Sequence, residues 1–145
     1  MDVDNYRFKV VLFGDSYVGK SAVITRYKSD RFDLQSAYLA AGVDFVNKLE
    51  EVDGKTIKMQ VWDSTGCKSF KFLAAFVYRG ASAVIFNYDI TNRDSFKHLV
   101  NWMHDFEEYG NEQMIMVLNG NKCDLEEARQ VSYGEGLKYA ENHNM

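Results

Sequence analysis

The stretch Gly14-Asp15-Ser16-Tyr17-Val18-Gly19-Lys20-Ser21 decides the fold, because it matches the pattern G-x-x-x-x-G-K-[ST]. The apolar residues before it, Phe8 to Phe13, predict a short buried strand. The residues after it, from about Ser21 to Ser29, predict a helix. A strand, a glycine-rich turn and a helix N-terminus in succession form a phosphate cradle. The alternative is a chance glycine turn, because this pattern alone is loose.

In such a cradle, backbone N–H groups surround the phosphates. Lys20 supplies a positive charge, and Ser21 offers its hydroxyl to Mg²⁺. The segment therefore predicts a set of nucleotide-binding residues, namely Ser16, Tyr17, Val18, Gly19, Lys20, Ser21 and Ala22.

A second motif, Asn121-Lys122-Cys123-Asp124, follows the apolar run Met114 to Leu118. The carboxylate of Asp124 can accept hydrogen bonds from the ring N–H and the exocyclic amine that guanine presents on one edge. The amide of Asn121 can donate to the purine N7. Adenine would leave the carboxylate facing an acceptor, which is costly. The motif therefore predicts a guanine site.

A third motif, Asp63-Ser64-Thr65-Gly66, follows the predicted strand Ile57 to Trp62 and has the form D-x-x-G. The carboxylate of Asp63 at a strand end can hold Mg²⁺, and Gly66 lets the backbone approach a terminal phosphate. Three such motifs in this order outweigh the chance alternative.

With these motifs in place, the chain resembles the small Ras-like GTPases and, within them, the Rab branch. The resemblance runs from about Tyr6 to the last residue. It is carried by strings spread along the chain: Gly42-Val43-Asp44-Phe45, Lys55-Thr56-Ile57-Lys58-Met59-Gln60-Val61-Trp62-Asp63, Tyr78-Arg79-Gly80-Ala81, Tyr88-Asp89-Ile90-Thr91-Asn92 with Ser95-Phe96, and Gly120-Asn121-Lys122-Cys123-Asp124-Leu125.

The resemblance implies an α/β P-loop GTPase fold, or G domain, with a mostly parallel sheet, one antiparallel edge strand and helices on both faces. It implies a molecular switch of vesicle or membrane traffic that binds GDP or GTP with Mg²⁺ and hydrolyses GTP slowly. Exchange factors and effector proteins are the implied partners.

The length and composition predict one domain over residues 1–145. We expect this domain to be located in the cytoplasm. The net charge of −4 gives no reason to expect nucleic acid as a partner. Two cysteines, Cys67 and Cys123, form no disulfide framework. No signal peptide or membrane-spanning run is present. The three histidines lack cysteine or carboxylate partners at ligand spacing and are interpreted as residues of helix surfaces: His98, His104 and His143.

Strand and helix patterns alternate along the chain, which predicts a parallel sheet covered on both faces. A hairpin is predicted over 43–62 with its two-residue turn at Asp53-Gly54, followed by a helix over 70–78 and a buried strand over 82–88. Residues 94–109 predict one amphipathic helix, and a capping box at Ser132 and Glu135 opens a last helix. The apolar face predicted for residues 94–109 comprises Phe96, Leu99, Val100, Met103 and Phe106.

The family's last strand, last helix, S-A-K loop and prenylated cysteine tail do not follow Met145, so the resemblance implies a C-terminally truncated domain. We expect the strand from Met114 to Asn119 to need a cover. The chain is a fragment of a longer one, or a second copy or partner covers the edge, or the natural protein is short. Membrane association stays open, because no prenylation cysteine is present.

Several switch residues depart from the family pattern. Cys67 stands where a glutamine orients the attacking water, and Ala40 stands where a threonine contacts Mg²⁺ and the γ-phosphate. Tyr17 and Thr65 replace small residues of the phosphate site, so the Tyr17 ring must point outward. Val77 replaces the first tyrosine of the family's Y-Y-R-G-A element. The expected catalytic positions are therefore Lys20 and Cys67. Catalysis is expected to be impaired, because Cys67 lacks the amide of the usual glutamine.

Three aromatic residues have two interpretations each. Phe32 is placed like the family's aromatic that packs edge-on to the guanine, but it could be an ordinary loop aromatic. Phe45 and Trp62 match two members of an exposed apolar triad that reads effectors in Rab proteins, but they could be ordinary buried strand residues.

Two functions from different classes fit these observations. The first is a guanine-nucleotide switch with slow hydrolysis. The second is a degenerate Rab-like interaction module that binds nucleotide weakly or only as structural support. A P-loop ATPase or kinase is poorly supported, because the motif from Asn121 to Asp124 and the D-x-x-G element are of the GTPase type.

Overall fold

The computed structural model describes residues 6–32, 44–64 and 71–145. Five β-strands alternate with helices in this part of the chain. The strands are β1 (Arg7–Gly14), β2 (Asp44–Val52), β3 (Lys55–Asp63), β4 (Ala83–Asp89) and β5 (Ile115–Asn121). The helices are α1 (Lys20–Ser29), α2 (Lys71–Tyr78), α3 (Arg93–Lys97), α4 (Leu99–Tyr109) and α5 (Tyr133–Asn142), with a 3₁₀ segment at Cys123–Ala128.

The strands form one sheet in the order β2-β3-β1-β4-β5. β1 lies between β3 and β4 and is parallel to both, and β5 is parallel to β4. Among these described strands, only β2 runs antiparallel, against β3. The predicted mostly parallel α/β sheet with one antiparallel edge strand is therefore confirmed. Because the four parallel strands share a direction, the loops at their carboxyl ends meet at one edge of the sheet.

The β2–β3 connection is the two-residue turn predicted for it. Asp53 and Gly54 both have positive φ, 50° and 72°. Two consecutive left-handed residues produce the turn whose twist matches that of paired strands. The register runs from Val52 opposite Lys55 to Asp44 opposite Asp63, so the hairpin carries Asp63 to the sheet edge where the parallel strands end.

Helices pack on both faces of the sheet, as predicted. On one face, α1 contributes Ile24 to a cluster with Leu12 and Val61. On the other face, helices α2 and α4 cover a larger core. That core includes Val11, Phe13, Val77, Tyr78, Val84, Phe86, Leu99, Trp102, Met103, Phe106 and Val131. β1 contributes to both clusters and is buried on both sides, as expected for a central parallel strand.

The prediction of one helix over residues 94–109 is wrong in two respects. The segment divides into α3 and α4 at His98. Val100 is 63% exposed, whereas Trp102 is buried. Leu99, Trp102 and Met103 share a face at spacings of three and four residues, and Val100 is turned about 100° away from Leu99. Trp102 therefore takes the core position that the sequence pattern assigned to Val100.

β5 lies at the edge of the described sheet, and Ile115 and Val117 project from it largely exposed. Met116 and Leu118 point to the opposite face and pack on the large core. The sequence predicts that the strand from Met114 to Asn119 needs a cover. In the described structure, Ile115 and Val117 are the apolar side chains of β5 that such a cover would bury. Within the described residues, no helix combines the length and the apolar character needed to cross a membrane.

The capping box predicted for the last helix is confirmed. The Ser132 hydroxyl accepts from the Glu135 backbone N–H at 3.1 Å, and the Glu135 carboxylate accepts from the Ser132 N–H at 2.9 Å. Arg93 also donates two hydrogen bonds to that carboxylate, at 2.9 and 3.0 Å. These hydrogen bonds lower the pKa of Glu135 to about 2, and the bonds from Arg93 make the largest contribution. The contact joins the start of α3 to the start of α5.

We expect Ser132→Ala to lower the free energy of unfolding by about 1 kcal/mol, because a helix N–H loses its acceptor. Urea denaturation at neutral pH measures the change. Ser29→Ala is the matched control, because the Ser29 hydroxyl only donates to the Thr25 carbonyl within an exposed helical turn. Equal losses in both variants would contradict a specific contribution of the cap.

Candidate phosphate and base site

The loop from Gly14 to Lys20 has a backbone that only certain residues tolerate. Gly14 and Gly19 have φ values of 145° and 104°, which favour glycine. A Cβ on Gly14 would stand 2.3 Å from the carbonyl oxygen of Asn87, so β1 and β4 come close together there. Tyr17 also has positive φ, and its ring is 76% exposed. The ring thus points outward, as its position in a phosphate loop requires.

Lys20 begins α1 and lies beneath this loop, with 6% of the residue exposed. Its ammonium group donates to the carbonyls of Gly14 at 2.8 Å and Asp15 at 2.7 Å. Burial lowers the pKa of Lys20 to about 8, although the charges of Asp63 and Asp15 oppose the decrease. The loop therefore surrounds a cation whose desolvation a bound anion would offset.

Ser21 and Asp63, the two predicted metal ligands, are brought together from α1 and the end of β3. The Ser21 hydroxyl donates a hydrogen bond to the Asp63 carboxylate. Asp63 is itself buried, with 8% exposed. A hydroxyl and a carboxylate are oxygen ligands of the kind that Mg²⁺ prefers, so this donor set fits that ion.

Lys122 connects the second motif to the phosphate loop. Its backbone is left-handed, with φ 67°, and its ammonium group donates to the Tyr17 carbonyl at 2.8 Å. The same group is 2.7 Å from the carboxylate of Asp89. Burial disfavours the charged form of the Asp89 carboxylate and raises its pKa. Hydrogen bonds from Lys122 and Thr91 outweigh this effect, so the pKa of Asp89 is lowered. Lys122 therefore connects the motif from Asn121 to Asp124 directly to the phosphate loop.

The remaining predicted residues have different surroundings. Asn121 is half-buried at the end of β5, and its amide would be 3.3 Å from a Cβ on Gly19. Asp124 is exposed on the 3₁₀ segment, and the Phe32 ring is 65% exposed after α1. Val18 is buried, whereas Ser16 is exposed and Ala22 is intermediate. Four predicted or noted positions of the site lie outside the described residues: Ala40, Thr65, Gly66 and Cys67.

Sequence reasoning missed a contact that fixes the phosphate loop from below. The Asp15 carboxylate accepts from the Trp102 indole N–H at 3.0 Å and also bonds Nδ1 of His98. No sequence signal marked this contact, because the apolar pattern runs unbroken through His98, where the structure places the junction of α3 and α4. The loop is therefore anchored to these helices through a side chain, while its backbone faces Lys20.

The interpretation of the histidines as residues without carboxylate partners is wrong for two of them. His98 pairs with Asp15 across 83 positions of sequence. His104 has Asp105 and Glu108 within 4.8 Å on an exposed turn of α4. His143 instead stacks on Tyr139, with ring centroids 4.1 Å apart. Spacing along the sequence could not reveal the first pair, because only packing of α3 against the loop creates it.

Three aromatic side chains form a partly exposed patch on β2, β3 and α2, in which Trp62 is half-buried. Phe45 stacks on Trp62 with centroids 4.9 Å apart, and Phe76 meets Trp62 edge-on at 6.0 Å. Phe45 is 44% exposed, so ordinary strand burial does not describe its side chain, whereas Trp62 packs partly on the large core. Phe76 of α2, which is 60% exposed, supplies the third ring, and its neighbour Val77 is buried.

The low pKa of Lys20 has a consequence for stability. From pH 8 to 10.5 the unfolded chain retains a proton that the folded chain has released, so the unfolding free energy rises with pH. Between about pH 7.5 and pH 9.5 the wild type should gain on the order of 2 kcal/mol over Lys20→Met. Urea denaturation of both proteins without nucleotide measures the difference. Parallel pH profiles would contradict a buried, destabilised charge.

Comparison with known proteins agrees with this geometry. The Ras family model matches residues 9–145. The Ras-related protein Rab-19 of Bos taurus is 40% identical over 141 residues, which is 97% of this chain and 64% of that protein. The chain thus spans slightly less than two-thirds of the length of this curated relative. With the sheet, the phosphate loop and the motif from Asn121 to Asp124 in place, the chain belongs to the Ras family and is Rab-like.

Proposed function

We propose that this chain is a guanine-nucleotide-binding switch that hydrolyses GTP to GDP slowly and acts in vesicle or membrane traffic. One observation carries the proposal: Lys122 reaches from the base motif to the Tyr17 carbonyl at 2.8 Å. The contact supports a single nucleotide site, because the segment proposed to read the base lies directly against the loop proposed to hold the phosphates.

The phosphate end is assigned to the loop from Gly14 to Ser21. Backbone N–H groups of Ser16 to Lys20 and the N-terminus of α1 would face the phosphate oxygens. The Lys20 ammonium group, already buried, exchanges carbonyl contacts for phosphate oxygens without much further desolvation. Ser21 and Asp63 would hold Mg²⁺, which neutralises charge between the phosphates. Gly66 would contribute a backbone N–H to the terminal phosphate.

The base end is assigned to Asn121, Asp124 and Phe32. The exposed carboxylate of Asp124 would accept from the two N–H groups on the Watson–Crick edge of guanine. Asn121 would donate to N7, and the exposed ring of Phe32 would pack against the base edge. The match to Rab-19, which extends over 97% of this chain, supports the assignment.

The aromatic patch of Phe45, Trp62 and Phe76 favours a second role as an interaction module. Exposed aromatic rings contribute strongly to binding when a partner covers them. The patch begins on the β2–β3 hairpin and ends on α2, and the D-x-x-G glycine and Cys67 belong to the stretch of sequence that connects these elements. An effector bound there could respond to nucleotide. If Cys67 abolishes hydrolysis, binding through this patch is the function that stays.

Base preference provides the first test. In the wild type, GDP and GTP should bind much more tightly than ADP and ATP. Asp124→Asn should weaken guanine nucleotides by on the order of 1.5–3 kcal/mol and shift preference toward xanthine, because a carboxylate acceptor is lost. Fluorescent-nucleotide titration measures both effects. Asp105→Asn on α4 is the control. Equal wild-type affinities for GTP and ATP would reject the guanine assignment.

Hydrolysis provides the second test. Single-turnover GTP hydrolysis by the wild type should run at or below ~10⁻⁴ s⁻¹, and an arginine-supplying activator should accelerate it little. Cys67→Gln should be faster, because an amide can orient the attacking water, and Ala40→Thr should add to the gain. Cys67→Ala, which introduces no amide, is the control. If the double variant with Cys67→Gln and Ala40→Thr is no faster than the wild type, water positioning at this place in the chain is refuted.

A further inference from the structure

Three asparagine side chains form a cluster between the phosphate loop and the base motif. Asn87 of β4 lies opposite Asn119 of β5 in the parallel register, and Asn121 follows two residues later on the same face. Asn87 is completely buried, and the other two are half-buried. We call these three residues the amide cluster. A buried amide is tolerated only when its polar atoms are paired, so the pairing within the cluster is informative.

The orientation of Asn87 is set by backbone. Its Nδ2 donates to the carbonyl of Phe13 at 3.2 Å and to that of Ile85 at 3.0 Å. Rotating this amide by 180° would place its oxygen against two carbonyl oxygens. The Oδ1 atom of Asn87 therefore points toward β5 and is available as an acceptor.

Asn119 transmits this orientation to Asn121. The Nδ2 of Asn119 donates to Oδ1 of Asn87 at 3.0 Å and to Oδ1 of Asn121 at 2.9 Å. The Nδ2 of Asn121 donates to the same Asn87 oxygen at 3.3 Å. A reversed Asn121 amide would place its oxygen near the Asn87 oxygen and its N–H groups against the N–H groups of Asn119. The cluster therefore permits one orientation of Asn121.

That orientation leaves one N–H of Asn121 outside the cluster, because the amide nitrogen carries two. The nitrogen lies beside Gly19, where an added Cβ would be 3.3 Å away. We propose that Asn87 and Asn119 are positioning residues for guanine recognition, which hold the Asn121 amide with this N–H directed at the purine N7. The inference rests on the proposed function, because it requires a guanine nucleotide in the site.

Packing alone does not account for these residues. Replacing both partners of a buried hydrogen bond by apolar groups of similar shape is close to neutral for stability. Leucine is similar in size to asparagine and would lie on the same face of the sheet at Asn119. Asn87 also bonds two backbone carbonyls. Asn119 instead donates to the side chains of Asn87 and Asn121, so an amide at Asn119 serves to fix the direction of the other two amides.

The test compares GDP with 7-deaza-GDP, in which a C–H group replaces N7. In the wild type, loss of this acceptor should weaken binding about 3- to 10-fold, as expected for one hydrogen bond. In Asn119→Leu the Asn121 amide loses the 2.9 Å bond to its oxygen and keeps only the 3.3 Å bond to Asn87, so its direction is held less firmly and the ratio of the two dissociation constants should fall toward one. Asn119→Asp presents only acceptors and should turn the Asn121 oxygen toward the base, so GDP should bind no better than 7-deaza-GDP.

Asn47→Leu is the matched control. In the wild type, the side-chain oxygen of Asn47 accepts a hydrogen bond from Gln60 at 3.3 Å. Asn47 lies on β2, away from the base motif, so Asn47→Leu should keep the wild-type ratio. If Asn119→Leu weakens both ligands equally and keeps the ratio, Asn119 is merely structural and the inference is overturned while guanine binding stands. If Asn119→Leu does not fold, Asn119→Asp decides by the same ratio. If the wild type binds GDP and 7-deaza-GDP equally tightly, Asn121 makes no contact with N7. The positioning role of Asn119 and the proposed role of Asn121 in base recognition are then both refuted.

Discussion

The burial of the Lys20 ammonium group under the phosphate loop is the interaction on which the rest of the site depends. Two backbone carbonyls satisfy the charge from within the loop itself, so the loop is wrapped around the cation. This arrangement requires left-handed glycines at Gly14 and Gly19, and it requires β1 to approach β4 closely enough that Gly14 has no room for a side chain. The depressed pKa of Lys20 expresses how incompletely the protein alone solvates this cation.

The second constraint is that the base motif cannot move independently of this loop. Lys122 bonds the Tyr17 carbonyl, Asp15 bonds His98 and Trp102, and Asn87 bonds the Phe13 carbonyl just before the loop. These contacts come from β4, from the residue that follows β5, and from the α3–α4 junction and α4, and they converge on one short segment. The segment from Asn121 to Asp124 and the loop from Gly14 to Lys20 are therefore held together by side-chain hydrogen bonds before any ligand is present.

Much of this could be predicted from residues alone. The glycine spacing, Lys20, Ser21, Asp63 and the base motif were identified from their order and chemistry, and the hairpin and capping box followed from short local patterns. Local patterns failed where packing decides. A single helical pattern over residues 94–109 could not show that the chain breaks at His98, nor that Trp102 rather than Val100 is buried, because both depend on how α4 meets the sheet.

The sequence by itself determined the fold class, the family and the chemical groups of the site, because these depend on periodicity and on residue types at short spacing. Tertiary structure alone decided the partners of those groups. Asp15 and His98 are 83 positions apart, and Asn87 and Asn121 are 34 apart. Such pairs arise from strand register and from the packing of helices on the sheet. Both place residues side by side without leaving a pattern in the neighbouring sequence.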